Sequence, residues 1–420
     1  MKLLLGHCIG FDDQDQLTDT ARGGLLIDQG VIQAMGDGAE LVRRYPQAQV
    51  VDHGSSYLMP GFVDAHVHYP QLPVIASHGE QLLEWLERYT FPEESKYGDL
   101  DYACAQAEQF LDLTLAYGTT SAAVFSTVHA TSAEALFQAA GRRNLRLATG
   151  KVLMDRNCPE SLRDDPVSGY QESERLIRSF HGQGRLEYAI TPRFAPTSSA
   201  EQLAACAALW DAYPDVLLQT HLSENADEIR WVSELFPASP DYLGVYEQFD
   251  LVRPRALFGH AIHLSAREAD SLRERGGVLV HCPTSNLFLG SGLFEFQAHA
   301  RAGQRLALAS DVGGGSALSM WSTMLGAYQV SAMLGQALDA QQLLYASTLG
   351  GARSLGWDCV GNLAVGYEAD ILVIDPHATA LASQRIEHST SLEEALFALI
   401  VLADDRHVSD VYVAGQRVSD

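Results

Sequence analysis

The chain has 420 residues, of which 47% are hydrophobic and 19% are charged. This is the composition of a folded globular protein, and the length allows a large barrel with a smaller module beside it. The 53 acidic residues outnumber the 28 basic ones and give a formal charge of -25, so the surface repels phosphate backbones and anionic lipids. We therefore expect neither nucleic acid nor a membrane as a partner.

The first residues and the cysteines indicate where the protein resides. The apolar run at the start, MKLLLGHC, breaks after three leucines and soon meets Asp12, Asp13 and Asp15, so it lacks the length of a secretory signal core. No apolar stretch approaches the roughly 20 residues of a membrane span. The six cysteines are scattered without a Cys-x-x-Cys pair, which disfavours a disulfide framework or a zinc knuckle. The sequence predicts a cytoplasmic protein.

Two kinds of local pattern follow one another along the chain. Residues 1–58 contain short strand patterns separated by turn signals. From Met59 onward, helical stretches alternate with short apolar runs, and this alternation predicts parallel strands joined by crossover helices. The predicted helices cover 101–117, 132–143, 200–213 and 266–275, and the predicted strands cover 120–125, 146–153, 186–191, 216–220, 256–258, 278–280 and 306–309.

Strand patterns return near the end of the chain, at 361–375 and 408–418. The simplest assembly pairs both terminal segments in one module. The sequence therefore predicts an α/β protein in which residues 59–361 form a (β/α)₈ TIM-type barrel. Residues 1–58 and 362–420 together form a small β-sandwich domain.

Four apolar runs end in residues that bind metal ions. His66 and His68 lie two positions apart just past Pro60-Gly61, and on a strand that spacing aims both side chains at the same side. Later runs end at His221, His260 and Asp311, and 245 positions separate His66 from Asp311, close to the roughly 250 residues of a (β/α)₈ barrel. Because the carboxyl ends of barrel strands meet at one rim, these runs predict one metal centre.

Together these motifs resemble the amidohydrolase superfamily, and within it the guanine deaminases with one zinc ion. The resemblance spans nearly the whole chain. The matching motifs are His66-x-His68, Gln71, Lys151 in Thr-Gly-Lys-Val-Leu-Met-Asp, Thr191-Pro-Arg-Phe194, His221-Leu-Ser-Glu224, His260, His281-Cys-Pro-Thr-Ser-Asn286, Ser310-Asp-Val-Gly-Gly-Gly315 and Gly366-Tyr-Glu-Ala-Asp-Ile-Leu-Val-Ile-Asp375.

The proposed chemistry needs a strong nucleophile at neutral pH, because an aromatic amino group is replaced by oxygen. Zinc provides one by lowering the pKa of its bound water to roughly 7. Three imidazoles and one carboxylate suit Zn²⁺, with Fe²⁺ as the alternative, and His66, His68, His221 and Asp311 are that set. The resemblance implies that Asp311 also accepts the proton of the attacking water and that His260 stabilises the oxyanion of the tetrahedral intermediate.

We expect one metal ion per chain, because the predicted fourth barrel strand carries no lysine. Binuclear members of the superfamily bridge their ions with a carboxylated lysine on the fourth barrel strand. Here the fourth-strand segment carries Arg193, and Lys151 comes one strand too early.

Glu224 is the candidate proton donor for the ring nitrogen and the departing amine, since an amide anion is a poor leaving group. It follows the ligand His221 by three positions. An alternative is a helix-start carboxylate favoured by the backbone dipole. The two interpretations are even on the residues alone, and the family resemblance favours the catalytic one.

Three residues are candidates for purine binding. Gln71 offers a donor and an acceptor, Arg193 offers fixed donors suited to a carbonyl such as O6, and Phe194 offers a stacking face. The alternatives are an ion pair with a surface carboxylate for Arg193 and core packing for Phe194. Residues 78–86 either line the pocket or pack as a lid.

Three functions remain open at this point. The leading one is the hydrolysis of guanine to xanthine and ammonia by a homodimer. The second is the same chemistry on a related ring, such as 8-oxoguanine, a pterin, a triazine or an adenosyl nucleoside. The third is a barrel without catalytic activity that serves as a scaffold.

Overall fold

The computed structural model describes residues 1–78 and 81–418. Its strands, in chain order, are β1 Lys2–Phe11, β2 Leu17–Asp28, β3 Val31–Asp37, β4 Gln49–Pro60, β5 Phe62–His68, β6 Thr119–Phe125, β7 Arg146–Gly150, β8 Val152–Leu153, β9 Leu186–Pro192, β10 Leu217–Leu222, β11 Ala256–His260, β12 Val278–His281, β13 Arg305–Leu308, β14 Ile371–Ile374, β15 Val408–Val413 and β16 Gln416–Arg417.

Helices cover most of the barrel's outside and its loops. They are α1 Gly38–Arg44, α2 Leu82–Trp85, α3 Phe91–Glu94, α4 Leu100–Ala116, α5 Ala130–Arg142, α6 Pro166–Phe180, α7 Ala200–Ala212, α8 Ala226–Leu235, α9 Tyr242–Glu247, α10 Ala266–Arg275, α11 Pro283–Phe288, α12 Phe296–Arg301, α13 Met320–Met333, α14 Ala340–Ala346, α15 Leu349–Ser354, α16 Ala380–Glu387 and α17 Leu392–Leu402. None of them, in the part of the chain that the structure describes, has the length and apolar character needed to cross a bilayer.

Eight parallel strands form a nearly closed barrel in the order β13-β12-β11-β10-β9-β7-β6-β5, with the short β8 paired to β9. The strands are largely apolar because helices cover their outer faces and side chains fill the interior. Every residue of β5, β6 and β12 is buried. The predicted (β/α)₈ barrel is confirmed.

The gap between β5 and β13 is bridged at the rim. The backbone N–H of Asp311 donates to the carbonyl of His66 at 2.9 Å, and the N–H of His68 donates to the carbonyl of Val312 at 2.8 Å. These bonds join the segment after the last barrel strand to the end of the first. They bring Asp311 next to the histidine pair although the two lie far apart in sequence.

The terminal segments form one seven-stranded sheet with the order β16-β15-β14-β4-β1-β2-β3. All neighbouring strands are antiparallel except β1 and β4. The sequence predicted a small β domain formed by both terminal segments, and β14 of the later segment pairs with β4 of the earlier one. The module built from both chain ends is confirmed.

Candidate active site and metal centre

Four side-chain atoms of metal-binding type meet at the rim of the barrel. The Nε2 atoms of His66 and His68 lie 3.1 Å apart, and those of His68 and His221 lie 3.3 Å apart. Oδ1 of Asp311 lies 3.3 Å from His66 Nε2 and 3.4 Å from His68 Nε2. Ligands about 2.0–2.1 Å from a shared tetrahedral ion are separated by about 3.3 Å, so these side chains fit one metal ion.

The outer nitrogen of His221 fixes which ring nitrogen faces this cluster. Its Nδ1 lies 2.7 Å from the carbonyl oxygen of Arg193, which can only accept a hydrogen bond, so Nδ1 carries the proton. The lone pair of Nε2 therefore faces the other ligands, which is the arrangement usual for metal-binding imidazoles.

Two features of the backbone turn the side chains towards the cluster. His260 and Asp311 have φ angles of +67° and +50°, in the left-handed region that non-glycine residues adopt mainly where the surroundings enforce it. Gly259 leaves space for a ligand, because a Cβ atom there would lie 2.8 Å from the ring of His66. The sequence motif Phe-Gly-His is thus explained by the packing of a neighbouring strand.

Glu224 and His260 lie beside the ligands. His260 Nε2 is 3.4 Å from Glu224 Oε2 and 3.7 Å from Asp311 Oδ2. Its Nδ1 lies 2.9 Å from Asn286 Oδ1. Glu224 accepts a hydrogen bond from Ser291 Oγ at 3.0 Å. Both side chains are buried, so Glu224 is not a solvated carboxylate at a helix start.

Burial sets the titration of these groups. It raises the pKa of Glu224 to about 7, with Glu228 and Asp311 adding to the effect and His260 opposing it. Burial lowers the pKa of His260, but the carboxylates of Glu224 and Asp311 outweigh it, so the net pKa is raised. Burial likewise raises the pKa of Asp311, yet the histidines, His66 first, hold it at about 2. One carboxylate is therefore ionised at neutral pH and the other exchanges a proton there.

The three candidates for purine binding all line the cavity above the ligands. Gln71, Arg193 and Phe194 share this cavity with His68, Leu82, Trp85, Leu86, His221, Glu224, Glu228, His260, Leu289, Asp311 and Gly314. Arg193 also forms an ion pair, with the buried Glu94 and not with a surface carboxylate. Phe194 packs in an apolar cluster with Trp85 and Leu86 as well, so core packing and pocket lining coincide.

The sequence allows residues 78–86 to be a pocket wall or a lid, and the structure describes seven of these nine residues. Leu82, Trp85 and Leu86 line the cavity, whereas Gly79 and Glu80 lie outside the described residues. The interpretation as a pocket wall is therefore correct for the described part.

Comparison with known proteins agrees with this geometry. A profile described as the amidohydrolase family matches residues 57–418, and one described as an imidazolonepropionase-like composite domain of bacteria matches residues 23–48. The chain belongs to the amidohydrolase family.

This amidohydrolase is similar along its whole length to proteins named guanine deaminase. The Escherichia coli K12 protein is 44% identical over 413 residues, which are 97% of this chain and 94% of that protein. The E. coli structure superposes with a TM-score of 0.98 at 42% identity, covering 100% of both chains. A guanine deaminase from C. acetobutylicum with bound guanine has a TM-score of 0.93 at 30% identity and full coverage of both. An adenosine deaminase from Xanthomonas campestris with bound zinc has a TM-score of 0.85 at 26% identity, covering 99% and 92%.

Sequence reasoning missed one residue beneath the ligands of this amidohydrolase. Asp64 is buried, and its oxygens accept hydrogen bonds from the N–H and Oγ of Ser310, at 3.0 and 2.5 Å, and from the N–H of His66 at 3.3 Å. Asp64 therefore ties β5 to the residue before Asp311. A signal was present, because the two-residue period that relates His66 to His68 also includes position 64.

Lys151 and Cys282 are two further buried side chains, and each follows the end of a barrel strand. Lys151 lies 2.5 Å from Asp164 and 3.2 Å from Glu172, so its amine is held by α6 and its preceding loop. The thiol of Cys282 has a ligand atom near those of His260 and Asp311, but burial raises its pKa well above the usual value.

Proposed function

We propose that this amidohydrolase converts guanine and water to xanthine and ammonia. The observation that carries the proposal is that one buried cavity holds a His/Asp ligand set, a carboxylic acid with a raised pKa and a polar wall able to read a purine edge. Relatives at up to 44% identity are named guanine deaminases, and one related structure contains guanine. Both facts support the same substrate.

We propose one Zn²⁺ ion per chain, held by His66, His68, His221 and Asp311, with Fe²⁺ as the alternative. The donor set and its spacing support this choice. When bound, such an ion lowers the pKa of a water molecule to roughly 7 and so makes it a nucleophile at neutral pH.

Side chains of the protein then transfer the protons and stabilise the negative charge that develops on oxygen. Asp311 is ionised and accepts the proton of the attacking water. Glu224, with a pKa of about 7, donates a proton to the ring nitrogen, regains the proton that Asp311 took from the water, and then donates it to the departing amine. A group with a pKa near the working pH exchanges protons most efficiently. His260 has an N–H donor near the carboxylates of Glu224 and Asp311. It stabilises the negative charge on oxygen in the tetrahedral intermediate.

The opposite wall selects the ring. Gln71 and Arg193 present hydrogen-bond donors to the polar edge of the base, and Phe194 lies against its face. A buried donor that finds no acceptor costs about 1–3 kcal/mol, so a ring without the matching carbonyl binds less well. The same contacts leave related rings as the second candidate, and the intact ligand set with its acid argues against a silent scaffold.

A panel of rings tests the substrate. Metal-loaded protein is assayed for ammonia release from guanine, 8-oxoguanine, a pterin, a triazine and adenosine, and we expect the highest kcat/KM with guanine. A higher value with another ring would identify that ring as the substrate. Metal-loaded protein that releases ammonia from none of them would be a scaffold.

Two variants separate the acid from the ligands. Glu224→Gln should keep its metal and lose about 10²–10⁴-fold in kcat, because it removes only the proton donor. His221→Ala should lose the metal, since three ligands remain where four are needed. Metal analysis and ammonia assays on both variants check this, and equal metal loss in the two would show that Glu224 is a ligand.

We also propose that residues 1–58 with 362–420 form the small domain and residues 59–361 the barrel, which the pairing of β4 with β14 supports. The homodimer and the cytoplasmic location stay predictions. Sedimentation velocity of the metal-loaded protein checks the first, and cell fractionation checks the second.

A further inference from the structure

One buried carboxylate lies behind the wall that faces the proposed base. Glu94, at the end of α3, has no solvent exposure. Its Oε1 accepts a hydrogen bond from Gln71 Nε2 at 3.0 Å, and its Oε2 accepts one from Arg193 Nη1 at 2.7 Å. Gln71 and Arg193 line the cavity, so each oxygen of Glu94 holds one of the two side chains that would read the ring edge.

These bonds leave the amide of Gln71 with one orientation. Its Oε1 accepts a hydrogen bond from the N–H of Gly313 at 3.2 Å, while its Nε2 donates to Glu94. Rotating the amide by half a turn would place an NH₂ group against an N–H and an oxygen against a carboxylate. Both contacts would be repulsive, so Gln71 offers the cavity the remaining N–H of its Nε2.

The guanidinium of Arg193 is held from two sides by the same short helix. Glu94 pairs with its Nη1, and the ring of Phe91 lies 5.6 Å from its central carbon. The guanidinium and the carboxylate carry opposite charges, and both side chains are buried. The pair therefore adds no net charge behind the cavity wall. The remaining guanidinium N–H groups keep a fixed direction, since the fork is planar.

We propose that Glu94 is a positioning residue that determines which ring edge the cavity accepts, by fixing the donors of Gln71 and Arg193 towards a neutral ring that carries a carbonyl. This inference rests on the proposed function and deepens it. Glu94 would not touch the base and would act only through its two partners. A purely structural ion pair would influence stability alone, whereas a positioning residue also changes selectivity.

Glu94→Gln removes the symmetry on which this arrangement depends. A carboxamide has one acceptor and one donor end, so it can satisfy Arg193 or Gln71 but not both in their present orientations. Facing Gln71 with its NH₂ end, it would force the Gln71 amide to turn against Gly313. In either case one donor that would bind the substrate is displaced. The buried guanidinium also loses the negative charge that neutralises it.

The expected result is a rise in the KM for guanine of about 10- to 100-fold, the equivalent of one or two buried hydrogen bonds. The value of kcat should stay within about threefold, because the ligands and Glu224 are untouched. Glu93→Gln is the matched control. Glu93 lies in the same helix and is also buried, but it pairs with Lys96 at 2.5 Å and accepts a hydrogen bond from Tyr102. Both variants should keep their metal, and only Glu94→Gln should raise KM.

The sharper measurement compares guanine with 2-aminopurine, which has the same amino group but no O6 carbonyl. Wild type should favour guanine, because the donors of Arg193 lack a partner in 2-aminopurine. In Glu94→Gln this preference should shrink by about tenfold or more, whereas Glu93→Gln should keep the wild-type preference. If the guanine preference is equal in wild type and both variants, Glu94 has no role in selectivity.

Glu94→Asp covers the case in which Glu94→Gln does not fold. It keeps the charge that pairs with Arg193 but draws the oxygens back by one methylene, so it should still raise KM and weaken the guanine preference. An unchanged KM and preference in Glu94→Asp would overturn the proposal.

The wild-type assay separates the two levels of inference. If wild type does not deaminate guanine, the proposed function fails, and the variants are compared on the ring that wild type prefers. If wild type deaminates guanine and Glu94→Gln behaves like Glu93→Gln, only the role of Glu94 fails.

Discussion

Strands β11 and β12 are neighbours in the barrel and both end in a buried histidine, yet the two histidines have different surroundings. His260, at the end of β11, lies between two carboxylates, and its Nδ1 is bonded to Asn286. His281, at the end of β12, has no hydrogen-bond partner on either ring nitrogen within residues 1–78 and 81–418, and it is stacked on Phe294 at a centroid distance of 4.6 Å. The same pattern of an apolar run ending in histidine thus gives one polar and one apolar position.

The hydrogen-bond partner of each histidine determines its role, and the distance between two residues in the sequence does not reveal that partner. Asn286 follows His281 by five residues in the sequence. Its amide oxygen nevertheless bonds to His260, at the end of the adjacent strand. A carbonyl acceptor holds a histidine in a defined tautomer, and α11, the helix that follows β12, supplies that acceptor to His260.

The largest expected effect comes from making the same substitution at both strand ends. His260→Gln should lower kcat about 10²–10³-fold, as the loss of a donor at a developing oxyanion does, while the metal stays bound to its four ligands. His281→Gln should leave kcat at neutral pH within about threefold, because it touches no group of the proposed reaction. Ammonia release and metal content are measured on both. A folded, metal-loaded His281→Gln protein without activity would show that the reaction also depends on His281.

A smaller effect is expected beside His260. Gly259→Ala places a Cβ atom 2.8 Å from the ring of His66, so the ring must move away from the other ligands. Changes to groups that orient metal ligands typically cost 10–100-fold in metal affinity, and a competition assay with a chelator measures this. The control is Gly36→Ala, whose added Cβ meets no atom within 4 Å. Equal affinity in the two variants would show that the ring adapts without cost.

The smallest expected effect is a pH dependence of the free energy of unfolding that arises at His281. Burial lowers its pKa to about 3 from 6.5, so the folded protein leaves it neutral in a range where the unfolded chain binds a proton. Stability from this residue is complete above pH 6.5 and is lost as the pH falls towards 3. Between pH 7 and pH 5 the loss should be about 2 kcal/mol.

Urea unfolding of metal-loaded wild type and His281→Gln at both pH values measures this difference. The free energy of unfolding should fall more steeply in wild type, because the variant has no imidazole to protonate. Parallel losses in the two proteins would mean that His281 is already protonated in the fold or exposed to solvent.

The parts of the fold that sequence predicted are those with a repeating pattern. Strand-helix alternation predicts the barrel. The His-x-His spacing and two later strand ends gather four side chains, His66, His68, His221 and Asp311, that lie within ligand distance of one another. Parallel strands bring all their carboxyl ends to one rim, so the gathering follows from topology alone. Glu224 could be located for the same reason, since it follows His221 directly beyond the strand.

The remainder depends on contacts that no local pattern records. Glu94 lies in a run of short helical turns, where one of two adjacent glutamates faces inward and the other faces Lys96. Nothing in the letters separates the two. The left-handed backbone at His260 and Asp311 is likewise set by tertiary packing, because Asp and His adopt it more often than other non-glycine residues but still only rarely.

The pairing of β4 with β14 has a consequence for the newly made chain. On the side of β4 that faces away from β1, residues from Pro60 back to Tyr57 pair with Ile371–Ile374. These partners are made about 310 residues later, which at 5–20 residues per second is about 15–60 s of translation. During that time one edge of the amino-terminal strands has no partner, and an exposed strand edge is a template for aggregation. A ribosome that stalls before Ile371 would therefore release a fragment whose first sixty residues are held together but open to other chains.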